Sequence, residues 1–219
     1  MSILKKIFDH SLVSPDRVAF YQKEGTKKFG EFYHDICLTS KKLNAAGVEK
    51  DDFVLVVATN DYEFICTYFA IHLLGAVVVS IAPDIDDEFK GVVAKQINPK
   101  ITVENCADFA PQGDEVFEKT CPQELQSIPS EVIFTSGTTG KPKGVVLTHG
   151  QITAATKHII SHVKNKNTDI ELLLMPLSHS FGMARMRSTL YAGGALVLGY
   201  EIKRLKSVFG AIEQHRVTG

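Results

Sequence analysis

Residues 135–144, TSGTTGKPKG, are the least average stretch of the 219-residue chain. Four hydroxyls (Thr135, Ser136, Thr138, Thr139), three glycines (Gly137, Gly140, Gly144) and two lysines (Lys141, Lys143) occur with no acid among them. Glycines let backbone N–H groups turn toward a ligand, because no Cβ blocks the positive-φ conformations that a nest of amides needs. The hydroxyls add short donors, the lysines add a local charge of about +2, and Pro142 stiffens the segment between them. Such a loop suits an oxygen-rich anion, above all a polyphosphate. A solvated hairpin tip is the alternative, but the density of donors, the apolar flanks and the lack of any acid argue against it.

Spacing excludes two common nucleotide loops. The P-loop pattern needs four residues between its glycines and a hydroxyl after the lysine. Here two residues separate Gly137 from Gly140, and Pro142 follows Lys141. The glycine spacing of a dinucleotide-binding turn is absent as well. The apolar run before the loop (131–136) and the one after it (144–149) read as strands, so no helix N-terminus stands behind it.

The elements that must position this loop follow from hydrophobic periodicity. FVLVVAT (53–59) is a continuous apolar run suited to a buried parallel strand. Asn60 with Glu63 reads as the N-cap and its N3 partner of a helix that Gly75 ends. AVVVSIAP (76–83) is a second strand, DDEFKGVVAKQI a weaker helix and ITVEN (101–105) a third strand. Two strand–helix–strand units in succession predict right-handed crossovers and a mostly parallel sheet flanked by helices, an α/β fold. Residues 106–130 hold few β-branched residues and read as a connector between a first α/β portion (1–105) and a second (131–219). In the second portion Thr148 and Gln151 fit a capping box. ELLLMPL (171–177) reads as a strand, 181–192 as a helix ending at Gly193-Gly194, ALVLGY as a strand, and 203–214 as a basic amphipathic helix.

Bulk properties narrow the partners. A net charge of −1 gives no electrostatic case for nucleic acid or an anionic membrane. No apolar run reaches the length of a membrane span, and the first residues read as a short docked amphipathic helix rather than a signal peptide. Four widely spaced cysteines without a C-x-x-C pair indicate reduced thiols and a cytoplasmic protein.

VIFTSGTTGKPKGVVLTH resembles, without a gap, the phosphate-loop signature of the adenylate-forming superfamily: acyl- and aryl-CoA synthetases, luciferases and peptide-synthetase adenylation domains. MPLSHSFGM (175–183) resembles the same family's P-L-x-H-x-x-G motif at the expected distance downstream, and the similarity extends over essentially the whole chain. The resemblance implies joining of a carboxylic acid to ATP with Mg²⁺, giving acyl-AMP and pyrophosphate, and then thioester formation with CoA. Thr135, Ser136, Gly137, Thr138, Thr139 and Gly140 would wrap the β- and γ-phosphates, with Lys141 and Lys143 offsetting their charge. His179 would stand at the acyl or adenylate pocket, with Phe181 and Gly182 lining that same pocket. Ser178-His179-Ser180 supplies no carboxylate to hold an ammonium, which points to an acid without an α-amino group.

Other features have plainer readings. His158 and His162 form a solvated basic face, Met175, Met183 and Met186 fill the core, and Arg185 and Arg187 are surface or interface groups, the alternative being that one of them faces a phosphate or CoA. The family's Tyr-Gly-x-Thr-Glu segment, its ribose-binding aspartate and its C-terminal lysine are not found in the 219 residues. The chain therefore reads as an N-terminal portion, inactive by itself, with self-association through the surface that truncation exposes. Two alternatives stand beside this reading. One is a ligase that loads a carrier protein, such as a peptide-synthetase adenylation module. The other is a non-catalytic phosphate- or partner-binding subdomain.

Overall fold

The computed structural model describes residues 1–111, 120–123, 126–135 and 142–219. Among the described residues, seven α-helices and nine strands build two sheets. The first half runs α1 (Ile3–Val13), β1 (Val18–Gln22), β2 (Gly25–Lys28), α2 (Phe29–Ala45), β3 (Phe53–Val57), α3 (Tyr62–Leu74), β4 (Val77–Ile81), α4 (Asp87–Ile97) and β5 (Ile101–Val103). The second runs β6 (Pro129–Thr135), β7 (Lys143–Thr148), α5 (His149–Val163), β8 (Ile170–Leu172), α6 (Ser180–Ala192), β9 (Ala195–Val197) and α7 (Leu205–His215).

The larger sheet has the order β5-β3-β4-β6-β7, all parallel except for β7, which returns antiparallel to β6. The smaller has the order β2-β1-β9-β8. Each sheet draws strands from both sides of 106–130, so residues 1–105 and 131–219 are interleaved. Within that segment a 3₁₀ turn spans Cys106–Phe109, and Tyr33 donates its hydroxyl to the Thr120 carbonyl at 2.6 Å.

The apolar runs of β3 and β4 are buried on both faces, which explains their lack of alternation. Val54, Val56 and Val78 face a core built with α3, while Leu55, Val77 and Val79 face Val93 and the apolar side of α4. The two helices therefore cover opposite faces. This follows from right-handed crossovers that leave β3 and β4 in opposite directions along the sheet. Helix α3 is apolar nearly all round and buried accordingly, with Phe32 of α2 packing tilted against its Tyr62 and edge-on against its Phe69. Helix α1 docks through Ile3, Leu4, Ile7 and Phe8. No helix among the described residues is long and apolar enough to cross a membrane.

Several boundaries differ from the sequence expectation. The N-cap of α3 is Asp61, whose Oδ1 accepts from Phe64 N–H at 2.8 Å, one residue later than predicted. Asn60 is thereby released for a different contact, described below. Strand β8 is three residues long rather than seven, because the chain turns out of the sheet towards Pro176, which has no N–H to give to a ladder. The predicted C-terminal stops hold: Gly75 and Gly193 adopt φ of 74° and 83° at the ends of α3 and α6. The capping box of Thr148 and Gln151 forms, with both hydrogen bonds in place.

All four cysteines are free thiols, and burial pushes the Cys106 thiol up to about 12. A second buried titratable group has consequences for stability. Complete burial holds the His72 imidazole well below its ordinary value; His149 beside it acts in the same direction, and the Ser130 carbonyl at 3.2 Å opposes both. His72 is therefore neutral in the native state, whereas the unfolded chain protonates it near pH 6.5. Below that pH the unfolded state binds the extra proton, so stability falls with acidification by about 1.4 kcal/mol per pH unit until the native pKa is reached. Urea titrations between pH 7.5 and 5 are expected to show this slope, and the His72→Gln variant to have a shallower one.

Candidate functional site

In open α/β sheets a crevice forms where neighbouring strands send their connections to opposite faces, outside the carboxyl ends of the strands. Strands β3 and β4 meet that condition, since α3 and α4 lie on opposite faces. A cleft of about 560 Å³ opens there, lined by Ala58–Asn60 after β3 and by Ala82–Asp84 after β4. Its other walls are Leu174, Pro176, Ser178 and His179 on one side and Tyr200–Lys203 on another. His179 is exposed on this cleft as the N-cap residue of α6, without a side-chain capping bond.

Asn60 sets the position of the segment carrying His179. Its Nδ2 donates to the Met175 carbonyl at 2.9 Å, and its Oδ1 accepts from Leu177 N–H at 2.8 Å. The side-chain amide thus replaces a ladder partner for a segment that has left the sheet and lies more than a hundred residues away in sequence. Asn60→Asp keeps the acceptor for Leu177 but sets a carboxylate oxygen against the Met175 carbonyl. We expect a loss of about 1–2 kcal/mol, read by urea unfolding, with altered chemical shifts for the His179 ring.

Gly182 fixes the other end of the turn. A Cβ built there would lie 2.2 Å from the Pro176 carbonyl oxygen and 2.8 Å from that of Met175. The first turn of α6 therefore rests directly on the backbone of 175–176, and Pro176 O also accepts from His179 N–H at 3.2 Å. Phe181, 58% exposed, does not share the cleft with His179. It lines a separate groove of about 380 Å³ with Ile133, Leu147, Ile152, Ala155 and Ala184. The single pocket expected for His179, Phe181 and Gly182 is thus two hollows on either side of the 178–181 turn, with Gly182 as the close contact beneath.

The strands that flank the predicted phosphate loop in sequence, β6 and β7, pair antiparallel. Thr135 and Lys143 pair across the neck of this hairpin as the last register partners of the two strands. Ser136, Gly137, Thr138, Thr139, Gly140 and Lys141 lie outside the described residues. On the far side of the neck, Gln96 of α4 donates to the Pro142 carbonyl at 3.3 Å. Among the described residues no group of three or more His, Cys, Asp or Glu side chains could hold a metal ion.

Two expectations are corrected. Arg187 is not at the surface: it is 5% exposed, and its Nη1 donates to Glu131 Oε1 at 2.7 Å and to the Tyr68 hydroxyl at 3.3 Å. Tyr68 donates in turn to Glu131 Oε2 at 2.8 Å. Burial opposes the Arg187 charge, but Tyr68 and Glu131 outweigh it and hold the guanidinium pKa above its usual value. Arg185 is likewise partly buried and ion-paired, with Glu171. Met175 is exposed, because its segment leaves the sheet, while Met183 and Met186 are in the core as predicted. One signal in the sequence points to the Glu131 site: an acid inside the apolar run before the loop requires a buried partner. Which residue that partner is cannot be read from spacing.

The fold and this site define an α/β protein with a crevice at the carboxyl ends of β3 and β4, the place where open α/β sheets bind their ligands. The AMP-binding enzyme family matches residues 8–219, and the chain belongs to that family. It is 27% identical over 218 residues to the 2-succinylbenzoate–CoA ligase of Geobacillus sp. (strain WCH70), covering 90% of this chain and 43% of that one. It is 26% identical over 225 residues to 4-coumarate:CoA ligase 1 of Petunia hybrida, covering 85% of this chain and 41% of that one. The chain thus spans about two fifths of the length of these curated relatives. In fold it is similar to O-succinylbenzoate Coenzyme A synthetase from Bacillus subtilis in complex with AMP, with a TM-score of 0.85 at 21% identity over 97% of this chain and 60% of that chain. It is also similar to the N-terminal domain of FACL13 from Mycobacterium tuberculosis, with a TM-score of 0.87 at 21% identity over 99% of this chain and 61% of that chain.

Proposed function

We propose that this chain supplies the polyphosphate clamp and part of the acid-binding face of an ATP-dependent carboxylate-activating ligase. The observation that carries the reading is TSGTTGKPKG, in sequence between β6 and β7, inside a family match over 8–219. In the reaction a carboxylate oxygen attacks the α-phosphorus of ATP, pyrophosphate leaves, and the acyl group passes from AMP to the thiol of CoA. Catalysis of such a step rests on positioning and on charge stabilisation, both of which amide, hydroxyl and ammonium donors provide.

In this reading Thr135, Ser136, Gly137, Thr138, Thr139 and Gly140 bind the β- and γ-phosphate oxygens, while Lys141 and Lys143 balance their charge. His179, at the cleft mouth, meets the reacting carboxylate, and Gly182 and Phe181 shape the hollows beside it. Two of the relatives, 2-succinylbenzoate–CoA ligase and 4-coumarate:CoA ligase, are named for carboxylic acids that lack an α-amino group, in keeping with Ser178-His179-Ser180. Mg²⁺ accompanies ATP in the reading, but the described residues offer no cluster for it, and no step is assigned to it. Four free thiols suit a reducing compartment, and we place the protein in the cytoplasm. Ile202, Leu205 and Phe209 at and before α7 are exposed apolar side chains through which the chain would self-associate.

Calorimetric titration with pyrophosphate and with ATP tests the clamp. Binding is expected, weakened roughly tenfold or more by Lys143→Ala, the loss of one charge-assisted contact; absence of binding would overturn the clamp. ATP–pyrophosphate exchange with 2-succinylbenzoate, 4-coumarate and fatty acids of several lengths is expected to be negligible for these 219 residues alone. Robust exchange would show that they suffice for catalysis.

A further inference from the structure

We propose that Tyr68, Glu131 and Arg187 form a register pin: positioning residues that fix the height of the β6–β7 hairpin relative to α6, and hence of its neck relative to His179. The functional consequence rests on the clamp reading above.

The hairpin is held along the sheet by little backbone. β6 meets β4 through only two register pairs, Val78 with Glu131 and Val79 with Val132. It meets β7 through six, so hairpin and neck move together. Side chains must therefore decide the register. Glu131 and Ile133 face α3, α5 and α6, while Val132 and Phe134 face the apolar cluster under α4. A slip of one residue would turn Glu131 into that cluster, against Leu55 and Val79. A slip of two would set Ile133 or Pro129 opposite Arg187. Either leaves a buried guanidinium without its carboxylate, and either moves the neck by about 3 to 7 Å at the usual strand rise. In the observed register all three groups are satisfied: Oε1 takes Arg187, Oε2 takes Tyr68, and Arg187 Nε closes onto the Met183 carbonyl of its own helix at 3.1 Å. Next to them Ser130 bonds His72 Nε2 through its hydroxyl at 3.0 Å, which adds a second polar lock from α3. Arg187 follows His179 by about two helical turns, so the same pin references the clamp to the cleft.

Replacing a buried ion pair with apolar groups of similar volume is often neutral or stabilising, so such a replacement separates the register set by the charges from the stability of the fold. The test is the triple variant Tyr68→Phe/Glu131→Met/Arg187→Met, compared with the unaltered chain by urea unfolding, pyrophosphate calorimetry and interstrand nuclear Overhauser contacts between β4 and β6. The pin predicts near-normal stability, a pyrophosphate affinity reduced roughly tenfold or more, and loss of the single Val78–residue 131 pairing. A stable triple variant with unaltered affinity and unaltered pairing overturns the pin, as does an affinity that merely follows stability. Should the triple variant not fold, Tyr68→Phe alone decides: it retains the ion pair and is expected to weaken pyrophosphate binding roughly threefold, while unchanged binding overturns the pin. If the unaltered chain binds no pyrophosphate, the clamp reading fails, and the interstrand contacts still decide the register.

Discussion

Gly182→Ala is expected to destabilise the chain by about 3 kcal/mol, near the upper end of the usual cost of overpacking. The added methyl group would meet the Pro176 carbonyl oxygen at 2.2 Å, a separation that no real Cβ contact tolerates. The obstacle is backbone, so no side-chain rotation relieves it. The segment that must yield is the one that Asn60 clamps at Met175 and Leu177. Relief by backbone movement would therefore break one or both of those bonds and draw His179 away from the cleft. Gly210, in the middle of α7, provides the internal control. A Cβ there meets nothing within 4 Å, and Gly210→Ala is expected to stabilise by about 0.5–1 kcal/mol through helix propensity and lost unfolded-state freedom. Paired urea melts of the two variants check both signs, and a neutral Gly182→Ala would show that the turn is free to move.

The second large effect lies in the buried triad. Glu131→Gln leaves Arg187 charged without its carboxylate, and Arg187→Met leaves Glu131 charged without its guanidinium. Either is expected to cost about 3–5 kcal/mol, since both side chains are almost wholly out of water and an unpaired buried charge is not offset by solvent. Domains of this kind are stable by about 5–15 kcal/mol, so either change removes a large fraction of the total. Tyr68→Phe withdraws one hydrogen bond but no charge, and is expected to cost about 1–2 kcal/mol. Equilibrium urea unfolding of the three variants should reproduce this order. A Glu131→Gln variant as stable as Tyr68→Phe would mean that Arg187 finds another acceptor.

The order of elements was legible because it depends on local properties of the chain. Continuous apolar runs at 53–59 and 76–83 announced strands buried on both faces, and Gly75 and Gly193 announced helix ends requiring positive φ. Thr148 with Gln151 announced a capping box. The chemical suitability of 135–144 and its difference from a P-loop also follow from residue types and spacing alone. Misreadings arose where a residue's partner is distant. Asn60 has the composition of a helix cap, but Asp61 takes that position, and the Asn60 amide is used on a backbone segment more than a hundred residues downstream. Residues 173–177 have the hydropathy of a strand, yet Pro176 and the Asn60 clamp draw them out of the sheet. Arg187 has the look of a surface residue on a helix with another arginine nearby, but a lone acid on β6 fixes it in the core.

The sequence by itself determined the α/β class, the capping box of α5 and the helix stops, because each depends on φ/ψ preference and on burial averaged along a few residues. The tertiary structure alone decided which charges are buried and which hollow each candidate residue meets. His179 faces the strand-end crevice and Phe181 a separate groove, and Glu131 ties the loop-bearing strand to α6. Those outcomes depend on which strands become neighbours in the β5-β3-β4-β6-β7 order, where β4 and β6 lie side by side although about fifty residues separate them. Desolvation and pairing energies of that kind arise only when distant groups meet. No local pattern carries them.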